Sequence, residues 1–152
     1  MPEKTSYAPG TPCWVDVSWD DVGACASFYS GLFGWHPTTL PDTGGYTMFH
    51  QDGRDVAAAG PNQDGWTPQW STYIATDDAN GTAARIAAAG GSMLMEPFDV
   101  FDAGRMAFAS DTQGSVFGIW QAREHIGAQL VNEPSAYAWA GLLTTDIVAS
   151  PI

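Results

Sequence analysis

The sequence predicts an α+β fold of paired βαβββ modules, and three observations predict it. First, Trp14-Val-Asp-Val-Ser-Trp-Asp-Asp21 reads as a strand running into a helix cap, and Ser71-Thr-Tyr-Ile-Ala-Thr-Asp-Asp78 repeats that layout 57 positions later. Second, the helix, stop and turn signals that follow recur in the same order after each copy. Third, 152 residues with 45% hydrophobic and 14% charged side chains suit one domain with a buried core. The low-hydrophobicity, high-charge signature of disorder is absent.

The elements follow in order. Each Asp-Asp pair can supply the side-chain oxygen that caps a helix N-terminus. After the first pair, Val22 to Phe33 carries Ala24, Phe28 and Leu32, with Tyr29 and Phe33, at the spacing of an apolar helical stripe. Gly34 to Gly60 holds three short strand-like runs, with turns at Pro41-Asp42 and Asp52-Gly53. A polar linker, Pro61 to Gln69, leads to the second copy. There Ala79 to Ala89 carries Ala83, Ile86 and Ala87, and Gly90-Gly91 is the stop. Gly91 to Trp120 repeats the strand run, with a turn at Asp111-Thr-Gln-Gly114 before Val116 to Trp120. The modules span about 13–60 and 70–122, and neither is large enough to stand alone, so residues 1–122 read as one domain. In the 123–152 tail, Trp139-Ala-Gly-Leu-Leu-Thr-Thr-Asp146 repeats the Trp14 to Asp21 layout and resembles the start of a further module. An uncovered strand edge there invites pairing with a second copy, and a homodimer is expected.

Charge narrows the partners. Seventeen acidic residues against five basic ones give a net charge of −12. Phosphate backbones and anionic lipid surfaces meet net repulsion, so neither nucleic acid nor membrane is expected as a partner. No apolar run approaches the roughly 18–20 residues of a membrane span. Met1 to Gly10 lacks the basic start and apolar stretch of a signal peptide, which makes the cytoplasm the expected compartment. Cys13 and Cys25 read as two buried free thiols.

Phe28-Tyr29 followed by Leu32-Phe33-Gly34-Trp35, and Asp111-Thr-Gln-Gly114 followed by Phe117-Gly118-Ile119-Trp120, resemble the helix-end and closing-turn motifs of the vicinal oxygen chelate superfamily. That group includes glyoxalase I, extradiol dioxygenases and bleomycin-resistance proteins. The resemblance covers roughly Cys13 to Gln121, and Asn132-Glu133-Pro134 with Trp139 resembles the junction in actinobacterial two-domain members. It implies a curved mixed sheet around a central cavity, with the helices on the outside.

Metal-using members of this family place a His, Glu or Gln ligand on the first and last strand of each module. Aligned onto this chain, those positions fall on Trp14, about Ala57, Ser71 and Gly118. Indole, methyl and hydrogen do not ligate a divalent ion, and a neutral hydroxyl is a poor ligand. No metal and no cofactor are therefore expected. A shifted site from Asp16, His50 and Glu96 is the competing reading, against which His50 precedes a turn and Glu96 precedes Pro97, both readable as solvated strand ends.

In the resemblance the concave sheet face holds the substrate. Alternation turns Trp14, Asp16 and Ser18, then Ser71, Tyr73 and Ala75, then Val116, Gly118 and Trp120 inward. Small residues at Ala57, Ser71 and Gly118 leave volume, which Trp14, Tyr73 and Trp120 would wall, with Trp66 and Trp70 closing its mouth. His50 and Arg105 complete the ligand-binding candidates, Arg105 as a charged partner if it faces inward. Against this stands the plain alternative that the aromatics pack a core. Three functions follow. One is a metal-free protein that encloses a flat or aromatic compound, for antibiotic sequestration or natural-product biosynthesis. Another is a metal-independent tailoring enzyme of aromatic natural products with a hydroxylase-like role, using Asp16 as general base and Tyr73 as hydroxyl donor. The last is a metal-dependent glyoxalase or dioxygenase.

Overall fold

The computed structural model describes residues 3–146. In chain order its elements are β1 (Pro12–Trp19), α1 (Val22–Phe33), β2 (His36–Thr39), β3 (Thr47–Gln51), β4 (Arg54–Pro61), β5 (Trp70–Ala75), α2 (Ala79–Ala88), β6 (Ser92–Val100), β7 (Gly104–Ser110) and β8 (Val116–Ala122). The order βαβββ occurs twice, the α+β architecture that the repeat predicts. The described residues form two compact units, one holding 3–6, 14–71 and 127–138, the other holding 7–13, 72–126 and 139–146.

In the first unit, Asp21 keeps an extended backbone and its carboxylate accepts from the Ala24 N–H at 2.9 Å, which caps α1. Gly34 closes the helix at φ 74°, where a side chain would be strained, and its N–H donates to Ser30. The strands order as β2-β3-β4-β1, with β1 parallel to β4 and the other pairs antiparallel. Asp52-Gly53, both at positive φ, make the tight turn between β3 and β4. Between sheet and helix the core is Val17, Cys25, Ala26, Trp35, Phe49, Val56, Ala57, Ala59 and Leu130. The expected helical stripe is only partly the buried one. Small residues Cys25 and Ala26 face the sheet and let the backbones approach, whereas Phe28 and Leu32 are left 62% and 58% exposed.

Residues 127–138 pack on this unit. The Trp35 indole donates to the Ser135 carbonyl at 2.7 Å, and Gln129 exchanges hydrogen bonds with the Asp55 backbone. Residues 139–146 form no strand, although their layout repeats that of β1. Here the Gln113 side chain donates to the Asp146 carbonyl at 2.8 Å and accepts from the Thr144 hydroxyl at 2.7 Å. Residues 147–152 of the predicted tail lie outside the described residues.

In the second unit, Asp78 accepts from the Gly81 N–H at 3.0 Å to cap α2, and Gly90 at φ 89° follows its end. The strands order as β5-β8-β7-β6, with β5 parallel to β8. The Asp111 carboxylate accepts from the N–H groups of Gln113 and Ser115 at 2.8 and 2.9 Å, which fixes the predicted turn before β8. Ala79, Ala107 and Ile119 form the core, with Ile86, Met93 and Phe117 against it. Both cysteines are buried with free thiols. Cys13 donates to the Tyr73 carbonyl at 3.4 Å, and burial pushes its thiol up to about 12.

Candidate functional site

Each unit has one sheet face packed on its helix and one turned away from it. In the first unit Val17, Ala57 and Ala59 belong to the helix-side core. Alternation therefore turns Trp14, Asp16 and Ser18 of β1 and Ala58 of β4 to the other face, and Asp16 lies opposite Ala58 in register. Met48 pairs with Ala58 and shares that face. Ala57, read from sequence as a gap in the cavity wall, is on the wrong side. The β-bulge between Phe49 and His50 falls beyond Ala57, which keeps regular alternation with Ala59.

This face is organised by Tyr46, which the sequence reading missed. Its hydroxyl donates to the Asp16 carboxylate at 2.9 Å and accepts from the Trp14 indole N–H at 3.2 Å. Room for the ring comes from Gly60, where a Cβ would lie 3.0 Å from the ring. Burial, reinforced by the Asp16 charge, holds the Tyr46 phenol well above its ordinary range, against the pull of the Trp14 hydrogen bond. The available signal was alternation: Tyr46 stands two residues before Met48, immediately ahead of β3. Asp16 is half-buried and Trp14 only 4% exposed.

In the second unit Phe117 and Ile119 face α2, so Gly118 and Trp120 face away from it. Tyr73 lies opposite Gly118 in register, and Phe108 pairs with Gly118 from β7. A Cβ at Gly118 would overlap the Tyr73 ring. The volume expected at Gly118 is therefore filled by that ring, which also sits 5.3 Å from Phe108, centroid to centroid. Trp120 is 7% exposed and its indole donates to the His125 carbonyl at 2.8 Å. Met106, opposite Trp120, is half-buried on the same face. The result is an apolar face of aromatic rings and a thioether.

Other predicted residues sit elsewhere. Arg105 alternates with Ala107 toward α2, donating to Asn80 at 3.1 Å, the Pro97 carbonyl at 2.8 Å and Asp99 at 3.1 Å. It braces β6 and β7 and does not face inward. Its guanidinium and that of Arg123 hold the Asp99 carboxyl below the usual carboxylate range. Trp70 alternates with Ser71 and turns to α1, its indole donating to the Tyr29 hydroxyl at 2.9 Å. It closes no mouth on the opposite face. Trp66 is half-buried in the linker, where its carbonyl accepts from Asn62 at 2.7 Å. Ser71 is 6% exposed. His50 is half-buried, not a solvated strand end, and its Nδ1 lies 2.9 Å from Asp55 across the β3–β4 hairpin. A groove of about 570 Å³ opens in the first unit between α1 and β2, floored by Val22, Ala26 and Pro37. None of the predicted ligand-binding residues lines it.

The donors present do not fit a divalent ion. Trp14, Ala57 and its neighbour Ala58, Ser71 and Gly118 offer indole, methyl, hydroxyl and hydrogen. Asp16 is bonded by Tyr46, His50 is paired with Asp55, and Glu96 is exposed on β6. Among the described residues no three His, Cys, Asp or Glu side chains gather into a group that would hold a metal.

The family model of the Glyoxalase/Bleomycin resistance protein/Dioxygenase superfamily matches residues 14–119. CFP32 of Mycobacterium tuberculosis, a glyoxylase by name, is 43% identical over 151 residues, which is 95% of this chain and 58% of that protein. The anthracycline biosynthesis protein DauV of Streptomyces sp. strain C5 is 39% identical over 160 residues, 94% of this chain and 58% of its own length. DnrV of Streptomyces peucetius, also named for anthracycline biosynthesis, is 39% identical over 96% of this chain and 59% of its own. The chain thus spans a little over half the length of these relatives. Among solved structures, the Mn(II)-bound glyoxalase of Novosphingobium aromaticivorans aligns at a TM-score of 0.55 and 15% identity, covering 88% of this chain and 42% of that one. Methylmalonyl-CoA epimerase of Streptomyces coelicolor aligns at 0.53 and 19%, covering 74% and 97%. At such identities the likeness speaks for the fold alone.

Proposed function

We propose that this chain, which belongs to the glyoxalase/bleomycin resistance protein/dioxygenase superfamily, works without a metal and binds a flat aromatic small molecule of natural-product biosynthesis. One observation carries the reading. Where metal-using relatives of this fold need ligating side chains, this chain offers none, and the sheet faces turned from the helices present indole, phenol, phenyl and thioether groups instead. Such groups favour a flat aromatic partner, with stacking worth about 0.5–1.5 kcal/mol per pair beyond area burial. The names of DauV and DnrV supply the compound class, anthracycline biosynthesis.

A metal-independent tailoring enzyme is the second reading, favoured by the Tyr46–Asp16 contact. A carboxylate fixed by a hydroxyl donor is the minimal machinery of a general base. Tyr46 takes over the hydroxyl role that alternation gave to Tyr73. Binding alone requires no such group, so turnover lost in Asp16→Asn with affinity retained would favour the enzyme.

Native mass spectrometry of the protein purified from its own host tests the binding reading. The expected spectrum is a homodimer carrying an organic mass and no stoichiometric metal. A stoichiometric divalent ion would overturn the metal-independent reading and make Asp16, His50 and Glu96 the first residues to substitute.

A further inference from the structure

Most of the rings on the faces turned from the helices are already covered: Trp14, Tyr73, Phe108 and Trp120 are all buried. A covered ring has little surface left on which a ligand can stack. In the second unit, however, strand register carries the face outward to the sheet edge. Trp120 pairs with Met106, and Met106 pairs with Phe98, so the three side chains form one row across β8, β7 and β6. The neighbouring pair, Asp99 with Arg105, reaches Asn80 of α2, which confirms that Phe98 and Met106 point away from that helix. Accessibility rises along the row. Trp120 is buried, Met106 is half-buried, and Phe98, on the edge strand β6, is 40% exposed. The inner end of the row is fixed: the Trp120 indole donates to the His125 carbonyl, and its ring lies over Gly104, where a Cβ would overlap it. The outer end is a phenyl ring and a thioether open to solvent, on an edge where proteins usually place charge.

We propose that the aromatic ligand stacks on Phe98 and Met106, the accessible end of this row, with Trp120 held immobile beside Met106. The inference rests on the aromatic-binding reading above and assigns that reading its contact residues. A phenyl ring offers an aromatic ligand offset or edge-to-face packing, and a thioether offers a polarizable sulfur that adapts to the ring laid on it. Neither residue belongs to the set that alternation marked from the sequence.

Four methionines report on the faces separately. Met106 lies in the row, Met95 pairs with Phe108 beside it, Met93 packs toward α2, and Met48 lies on the first unit's face turned from α1. Their methyl resonances, labelled with carbon-13 and assigned by replacing each methionine with leucine in turn, are followed while 2-(hydroxymethyl)anthraquinone is added. The ring current of the bound probe is expected to move Met106 most and Met95 less, and to leave Met93 and Met48 in place. Phe98→Ala should weaken the probe's affinity about tenfold, with the Met93 resonance unchanged as a sign that the core is intact. Saturable binding that moves Met48 and not Met106, or that moves none of the four, would overturn this inference and leave the aromatic-binding reading standing. So would an affinity unchanged in Phe98→Ala. If the probe does not bind, the aromatic-binding reading falls and takes this inference with it. The methyl shifts of the unaltered protein decide the matter even if Phe98→Ala fails to fold.

Discussion

Tyr46 concentrates the residue-scale physics of this protein. Its phenol is held above the ordinary tyrosine range first by burial and then by the neighbouring Asp16 charge. The sign follows directly. The unfolded chain ionises at the ordinary value near 10 while the folded chain keeps its proton, so this contribution to stability is intact below about pH 10 and is lost as pH rises beyond it. In Tyr46→Phe the alkaline fall in unfolding free energy should be shallower, and the phenolate absorbance withheld until the chain unfolds should shrink. At neutral pH the same variant should cost about 2 kcal/mol, because it removes a hydrogen bond to a charged group. Denaturant melts across the alkaline range measure both effects. The sequence marked Trp14 and Asp16 by alternation, and alternation could have placed Tyr46 on a face, but its hydrogen bond to Asp16 was not legible because the two residues lie 30 positions apart.

At the scale of elements, glycine decides how β5 and β8 meet. Tyr73 lies flat over the position where Gly118 lacks a side chain. Gly118→Ala should destabilise the fold by about 1–3 kcal/mol through overpacking and should alter the near-ultraviolet circular dichroism of the displaced rings. An unchanged melting temperature would show that Tyr73 moves aside freely. Helix bounds were legible, because the caps are local chemistry: Asp21 and Asp78 each accept from an N–H three residues on. Strand faces depended on which alternate set of residues meets the helix: Ala57 alternates with Ala59 on the helix side, and alternation within β7 and β5 sends Arg105 and Trp70 to α2 and α1.

For the whole molecule the governing quantity is charge. With −12 distributed over 152 residues, self-repulsion opposes the compact state and salt screens it. Raising sodium chloride from low to physiological strength should raise the calorimetric melting temperature by about 2–5 °C. A fall would show that ion pairs such as Arg105–Asp99–Arg123 outweigh the repulsion. Among the described residues no helix is long and apolar enough to cross a membrane.

The sequence by itself determined the two βαβββ modules with their caps and turns. These are properties of local periodicity and of residue chemistry, which a chain carries whatever its neighbours. Only the tertiary structure decided that Tyr46 grips Asp16, that the Tyr73 ring fills the space at Gly118, and that Arg105 and Trp70 turn to the helices. Those outcomes depend on strand register, and register is set by contacts between residues far apart in sequence.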